Sequence, residues 1–151
     1  MCYFITVVAA GLPLSRLNEL ALTRRIVFTE CHNQSVATQL RPDETYLAHD
    51  SVCDCGTELG SRLRTPSKRH SVDPAGPTAD DWLTLIQSAM NAGAKRLGLI
   101  YHWYTHDVTT ETITVARKPV PVDLLTTAML LELPEDTLVM VTRTGHAPAD
   151  K

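Results

Sequence analysis

The stretch "TADDWLTLIQSAMNAGAKRLGLIYHWY", residues 78–104, decides the fold class because it joins an amphipathic helix to a buried strand. Apolar residues recur at helical spacing from Trp82 to Met90. Thr78, with Asp81 three residues later, resembles a capping box at the start of that helix. The run RLGLIYHWY that follows, residues 96–104, has the aliphatic and aromatic residues typical of a strand. The pattern predicts a sheet with helices packed on it.

The N-terminal part of the chain repeats this alternation. Residues 2–9, CYFITVVA, are apolar at successive positions, which predicts a strand covered on both faces. Gly11 ends it, and Pro13 stands at a plausible first position of a short helix that runs to Thr23. Residues 25–32, RIVFTECH, predict a second strand. A strand, a helix and a strand in this order predict a βαβ unit whose two strands run parallel.

The C-terminal part predicts two further strands and one helix. Residues 110–117 form a strand that we expect to pair with residues 96–104 and to end at the prolines 119 and 121. A third helix begins near Pro121, and residues 137–143, TLVMVTR, are the last strand. The fold class predicted for residues 1–151 is therefore a single α+β domain with helices packed on a mixed sheet. Its order is β-α-β, a long irregular region, and then α-β-β-α-β.

The irregular region has two polar parts and a doubtful strand. Residues 33–45 are rich in turn-forming residues, and the stretch from Tyr46 onward has the composition of a short strand. Residues 61–77 contain three prolines and no apolar period, which predicts a flexible, basic loop. We also expect a frayed tail over residues 144–151.

Composition limits the class of protein. A chain of 151 residues has the length of one domain, and its formal charge of −3 argues against nucleic acid as a partner. No apolar run is long enough for a membrane span. The apolar residues 3–12 have no basic residue before them, as a signal peptide would, so we expect a cytoplasmic protein with reduced cysteines. Oligomeric state is left open by the sequence.

Two cysteines one residue apart, Cys53 and Cys55, raise the question of a metal site. Tetrahedral zinc takes four Cys or His ligands that are usually supplied as two close pairs. Cys31 with His32 offers a second pair, and His49 lies four residues before Cys53. The candidate ligands are therefore Cys31, His32, His49, Cys53 and Cys55. Cys2 is excluded by this reasoning, because two parallel strands place it about 20 Å from Cys31.

Other interpretations of these cysteines stay open. The simplest is that they are small buried residues near a turn at Gly56, with no bound cofactor. Alternatively, the pair forms a labile disulfide or contains a reactive thiol. A reactive thiol needs a cation beside it, whereas Asp50, Asp54 and Glu58 are acidic. Alternate residues of an extended segment point to one side, so we expect Cys53 and Cys55 to face Cys31 if a site exists.

The loop over residues 61–77 carries a basic run that suits an acidic partner. We take Arg62, Arg64, Lys68 and Arg69 as candidate partner-binding residues. The sequence has no motif for phosphate loops, dinucleotides, zinc proteases or hydrolase elbows, and it has no motif that names a family. The predicted function is a non-enzymatic module of inhibitor, immunity-protein or adaptor type that binds a protein partner through its long loops. The alternative is a zinc-binding or thiol-dependent protein centred on Cys31, Cys53, Cys55 and a nearby histidine.

Overall fold

The computed structural model describes residues 2–49, 53–61 and 72–145. The strands in these ranges are β1 (Cys2–Ala10), β2 (Phe28–Glu30), β3 (Glu44–His49), β4 (Arg96–Tyr104), β5 (Ala116–Pro121) and β6 (Thr137–Thr142). The α-helices are α1 (Leu14–Ala21), α2 (Gln34–Ala37), α3 (Glu58–Ser61), α4 (Ala79–Asn91) and α5 (Thr127–Leu131). The strands form one mixed sheet with the order β2-β3-β1-β4-β6-β5. The predicted α+β class is confirmed.

β1 is a central strand of the sheet, as its apolar sequence predicts. Every residue from Ile5 to Ala10 is buried, because packed layers cover both faces of the strand. The strand ends where Gly11 turns the chain with φ of +82°, and a side chain there would collide with Lys95. Glycine is the residue that tolerates this backbone conformation without strain.

The first face of the sheet is covered by α1 and α4. α4 buries Trp82, Leu85 and Ile86 against this face. Its first turn has the predicted capping box: the Thr78 hydroxyl accepts from the Asp81 amide, and the Asp81 carboxylate accepts from the Thr78 amide. This reciprocal bonding satisfies two amides that the helix itself leaves unpaired.

The second face is covered by α2 and by the chain that follows β4. Val8, Ile100 and Leu138 form its core with two tyrosines whose hydroxyls, on Tyr46 and Tyr104, are 2.9 Å apart. The region 33–45, predicted to be turn-rich, contains α2 and the start of β3. Asn33 caps α2 and also donates to the carbonyls of Val108 and Glu111 at 2.8 Å. The polar side chain of Asn33 therefore bonds within the protein.

The strand pairing differs from the prediction at both ends of the sheet. β1 and β2 run in the same direction, but β3 lies between them and is antiparallel to both. At the other end, β4 pairs with β6, and β5 pairs in parallel with β6. The predicted pairing of residues 110–117 with β4 is wrong, because β1 and β6 occupy both edges of β4. Pro119 and Pro121 lie inside β5, which an edge strand tolerates.

A buried carboxylate joins three parts of the sheet. The Glu44 side chain, at the start of β3, is fully buried and accepts from Arg117 at 2.6 and 3.0 Å and from Arg96 at 3.3 Å. Burial alone would raise the pKa of Glu44, but hydrogen bonds from Arg117 and from the Arg41 amide, with both guanidinium charges, hold that pKa below its usual range. This network stabilises the ionised form of Glu44 inside the protein.

Two predicted flexible regions lie largely outside the described residues. The four basic residues proposed to bind a partner, Arg62, Arg64, Lys68 and Arg69, are among those not described. Where the structure resumes, the Asp73 amide donates to the Gly56 carbonyl at 2.8 Å, so the end of the predicted loop is attached to the domain. Among the described helices, each is too short or too polar to reach across a membrane.

Candidate metal centre

A turn, and not a strand, lies along one edge of the first residues of β1. β3 pairs with β1 only from Thr6 to Ala10, so the same edge of β1 before Thr6 faces the segment after β3. There the Ile5 amide donates to the Asp54 carboxylate at 2.8 Å, and the Tyr3 amide donates to the Cys55 sulfur at 3.3 Å. A 3₁₀ turn over Asp54–Gly56 thus accepts hydrogen bonds from backbone amides on this edge of β1.

The same turn brings three cysteine sulfurs together. The Sγ atoms of Cys2, Cys53 and Cys55 all lie within 4.8 Å of one another. Cys55 is buried and the other two are half-buried, so the group lies between the core and the surface. Sulfurs that bind one zinc ion tetrahedrally, each at about 2.3 Å, are about 3.8 Å apart. Small side-chain movements would therefore let all three sulfurs bind a single ion.

Backbone amides point at two of these sulfurs. The Tyr3 amide donates to Cys55 Sγ, and the Cys55 amide donates to Cys53 Sγ at 3.1 Å. Hydrogen bonds of this kind stabilise the thiolate form. Burial and hydrogen bonds with the Cys55 and Cys2 thiols nevertheless raise the pKa of Cys53 far above its usual range. A bound cation is what allows neighbouring thiols to lose their protons together.

A buried, hydrogen-bonded pair of side chains, Asp54 and His49, lies directly behind the sulfur cluster. Both oxygens of the Asp54 carboxylate are close to His49 Nε2, at 2.7 and 2.8 Å. The Asp54 side chain is fully buried and that of His49 is 3 % exposed. The His49 ring packs edge-on against Trp82, with 5.6 Å between the ring centroids. Asp54 therefore links the sulfur-bearing turn to β1 and, through His49 at the end of β3, to Trp82 of α4.

A glycine allows α3 to pack against this turn. A Cβ atom at Gly60 would lie 1.8 Å from the Asp54 carbonyl oxygen, which is far inside contact distance. The Thr57 hydroxyl donates to the same carbonyl at 2.8 Å and accepts from the Gly60 amide at 3.2 Å. The turn over residues 53–56 is thus held by its own side chains and by α3.

The structure regroups the residues that were predicted to bind metal. Cys53 and Cys55 point to the same side, but they face Cys2. The exclusion of Cys2 is therefore wrong. That exclusion used only the distance between Cys2 and Cys31. It did not consider the distance from Cys2 to Cys53 and Cys55. β3 runs antiparallel to β1 and ends beside Thr6, so the chain after His49 reaches the beginning of β1.

The other predicted ligands lie elsewhere. Cys31 belongs to the core on the second face, and with His32 it lines an open groove of about 440 Å³ under α2. Burial, with the nearby charge of Asp107, raises the pKa of Cys31. His49 binds Asp54 through Nε2 and is not in the sulfur cluster. Of the predicted set, only Cys53 and Cys55 are brought together in the described structure.

A second group of metal-ligand type lies near the end of β4. His102 Nδ1 contacts the Asp136 carboxylate, and Glu135 is within reach of the same point. Glu111 lies 3.8 Å from the other ring nitrogen of His102. Glu135 also accepts from the Trp103 amide, and Glu111 from the Thr105 and His106 amides. These contacts fasten the loops that carry Glu111, Glu135 and Asp136 to β4.

Comparisons with protein families, with curated proteins and with solved structures find no match for this chain. Within residues 2–49, 53–61 and 72–145, the group that best satisfies the requirements of a cofactor site is the sulfur cluster formed by Cys2, Cys53 and Cys55.

Proposed function

We propose that this protein binds one thiophilic metal ion, zinc in the first instance, through Cys2, Cys53 and Cys55. The observation that carries the proposal is the convergence of three sulfurs from two distant parts of the chain to within 4.8 Å. Thiolate ligands select zinc and other soft ions over magnesium or calcium. The two amide donors to sulfur support the charged ligand form. A cytoplasmic location, which is part of the proposal, would keep the cysteines reduced.

Metal binding at this position would fasten the start of β1 to the turn after β3. The described ligands come from both sides of a connection of about fifty residues, counted from Cys2 to Cys53. A ligand that binds only the folded state stabilises it by about 2.7 kcal/mol at a hundredfold excess over its dissociation constant. For a domain of this size, the melting temperature should rise by roughly 5 to 11 °C.

The experiment compares single serine variants of all four cysteines in reduced protein. Zinc content is measured by elemental analysis, and Co²⁺ is added as a spectroscopic probe of sulfur ligation. We expect about one ion per chain and a sulfur-to-cobalt charge-transfer band in the wild type. Cys2→Ser, Cys53→Ser and Cys55→Ser should each weaken binding strongly, whereas Cys31→Ser is the matched control and should bind as the wild type does. A wild type that binds neither ion, or a Cys31→Ser variant that alone loses it, would falsify the proposal.

We propose protein binding as a second function, because apolar side chains are exposed in the segment that carries Arg24 and Arg25. Leu22, Val27 and Val72 are exposed. Arg25 donates to the carbonyls of residues 74 and 75, which holds the connection after α1 beside the end of the basic loop. Apolar residues next to basic ones suit an acidic protein partner.

The partner is sought by cross-linking in cells at physiological salt. The wild type is compared with a Leu22→Ser, Val27→Ser double variant, and recovered partners are identified by mass spectrometry. A stoichiometric acidic protein that is lost from the double variant but kept by Cys53→Ser supports this second function. Recovery of no such protein, or equal recovery by both forms, contradicts it.

A further inference from the structure

We infer that Asp54 and His49 form a positioning pair for the metal centre: they hold the C-x-C turn in its ligating shape and keep the Asp54 carboxylate out of the ion's coordination shell. This inference rests on the proposed metal site. It assigns a role to two residues that do not bind the ion, and it turns His49 from a predicted ligand into a support for the ligands.

The Asp54 carboxylate points away from the sulfur cluster, although Asp54 lies between two of the proposed ligands in the chain. It lies between two sulfur ligands in the chain, where a carboxylate is an obvious competing oxygen ligand. Its oxygens instead accept from the Ile5 amide at 2.8 Å and lie 2.7 and 2.8 Å from His49 Nε2. The two cysteine side chains turn toward Cys2, while the aspartate between them turns toward the core.

The bonds around Asp54 fix both ligands at once. Its carboxylate is bonded to Ile5, two residues from the Tyr3 amide that donates to Cys55 Sγ. Its carbonyl accepts from the Thr57 hydroxyl and amide at 2.8 and 2.9 Å, which closes the turn behind Cys55. The turn therefore cannot rotate without breaking bonds at both ends of Asp54. His49, itself packed on Trp82, stops the carboxylate from swinging outward.

In other metal proteins, the effect of such positioning residues on metal affinity has been measured. Replacing a group that bonds to the ligand framework, without binding the ion, typically lowers metal affinity 10- to 100-fold. If the pair were purely structural, replacing either residue would lower the stability of the fold and leave the metal affinity of the folded protein unchanged. Metal affinity measured on folded protein thus separates the two roles.

The test measures Co²⁺ and Zn²⁺ affinities of Asp54→Asn and His49→Gln by competition with a chelator, far below their melting temperatures. Asp54→Asn keeps an acceptor for the Ile5 amide and removes the charge. Val141→Ala is the control, since Val141 is buried in β6 and pairs with Leu97, at the opposite end of β4 from Tyr104, the partner of Cys2. We expect a loss of affinity of about 10- to 100-fold in both test variants and none in the control.

The Co²⁺ spectrum and amide exchange complete the test. The charge-transfer band per bound Co²⁺ should persist in both test variants, because all three sulfurs remain. In the wild type, zinc should slow hydrogen exchange at the Ile5 amide as well as at Tyr3. This measurement needs no variant and therefore holds even if Asp54→Asn fails to fold.

The outcomes distinguish this inference from the proposed function. If the wild type binds neither metal, the metal site itself is wrong. If the wild type binds and either folded test variant keeps full affinity, or if zinc protects Tyr3 but not Ile5, the metal site stands and the positioning role is refuted. A loss of the charge-transfer band per bound ion would also refute it, because the substitution would then have changed the ligands.

Discussion

Replacing Gly60 by alanine tests the packing on which the metal centre depends. The added Cβ would lie 1.8 Å from the Asp54 carbonyl oxygen and 2.4 Å from its carbonyl carbon. The obstacle is backbone, so no side-chain rotation relieves it. The Asp54 backbone has to move by about 1.2 Å to reach even 3.0 Å, below which Cβ contacts are essentially never seen.

This movement lowers the free energy of unfolding in two ways, by overpacking and by weakening the hydrogen bonds of Asp54. Overpacking of a well-packed site costs about 1–3 kcal/mol. The shift also weakens the buried bonds from Ile5 and His49 to Asp54, and a buried polar group left without its partner costs about 1–3 kcal/mol. We expect a loss of about 3 kcal/mol in the free energy of unfolding, which is a fall of roughly 6 to 12 °C in melting temperature for a domain of this length.

Thermal unfolding followed by circular dichroism measures this effect, with Gly56→Ala as the matched control. Gly56 lies in the same turn, yet a Cβ atom there meets nothing within 4 Å and its φ is not left-handed. The control should melt within roughly 2 °C of the wild type. Gly60→Ala should also bind less zinc per chain. Equal melting temperatures for the two alanine variants would refute the reasoning from close packing.

Three further substitutions test other parts of the fold. Glu44→Gln should lower the free energy of unfolding by about 3 kcal/mol, because it leaves the Arg117 and Arg96 charges without their buried partner. Since the pKa of Glu44 is lowered in the folded state, its stabilisation is present above pH of about 4.3 and is lost as pH falls through the folded pKa. Urea unfolding between about pH 6 and about pH 3, the range in which carboxylates titrate, should therefore show a shallower fall in stability for Glu44→Gln than for the wild type, and an equal slope would contradict this. Thr78→Ala should cost about 1 kcal/mol through loss of the cap, measured by urea unfolding against the exposed control Thr38→Ala. Tyr46→Phe should cost about 1 kcal/mol by the same measurement, because it removes the bond to the Tyr104 hydroxyl, and an unchanged midpoint would show that this bond contributes nothing.

Local patterns in the sequence were sufficient for the elements that bury a continuous apolar stripe. β1, β4, β6 and α4 are found close to their predicted positions, and the capping box at Thr78 is present as predicted. These features depend on residues only a few positions apart in the chain, so a local sequence pattern is enough to predict them. The juxtaposition of Cys53 and Cys55 is of the same local kind.

Strand pairing depends on contacts between distant parts of the chain, so it could not be predicted from local sequence patterns. The third helix is reduced to α5, and β5 lies later than predicted and pairs with β6 rather than β4. β5 contains two prolines, which ordinarily argue against a strand, and it is tolerated because it lies at the edge of the sheet. Whether a segment lies at an edge is a property of the whole sheet.

The α+β fold, the apolar central strand and the C-x-C pair in a turn can all be predicted from the sequence. That Cys2 joins Cys53 and Cys55 becomes visible only in the folded chain. The reason is the insertion of the short strand β3 between β1 and β2, antiparallel to both. That arrangement returns the chain to the start of β1, where Cys53 and Cys55 lie beside Cys2, about fifty residues away in the chain. The entropic cost of closing this loop is offset by the free energy gained when the sheet forms.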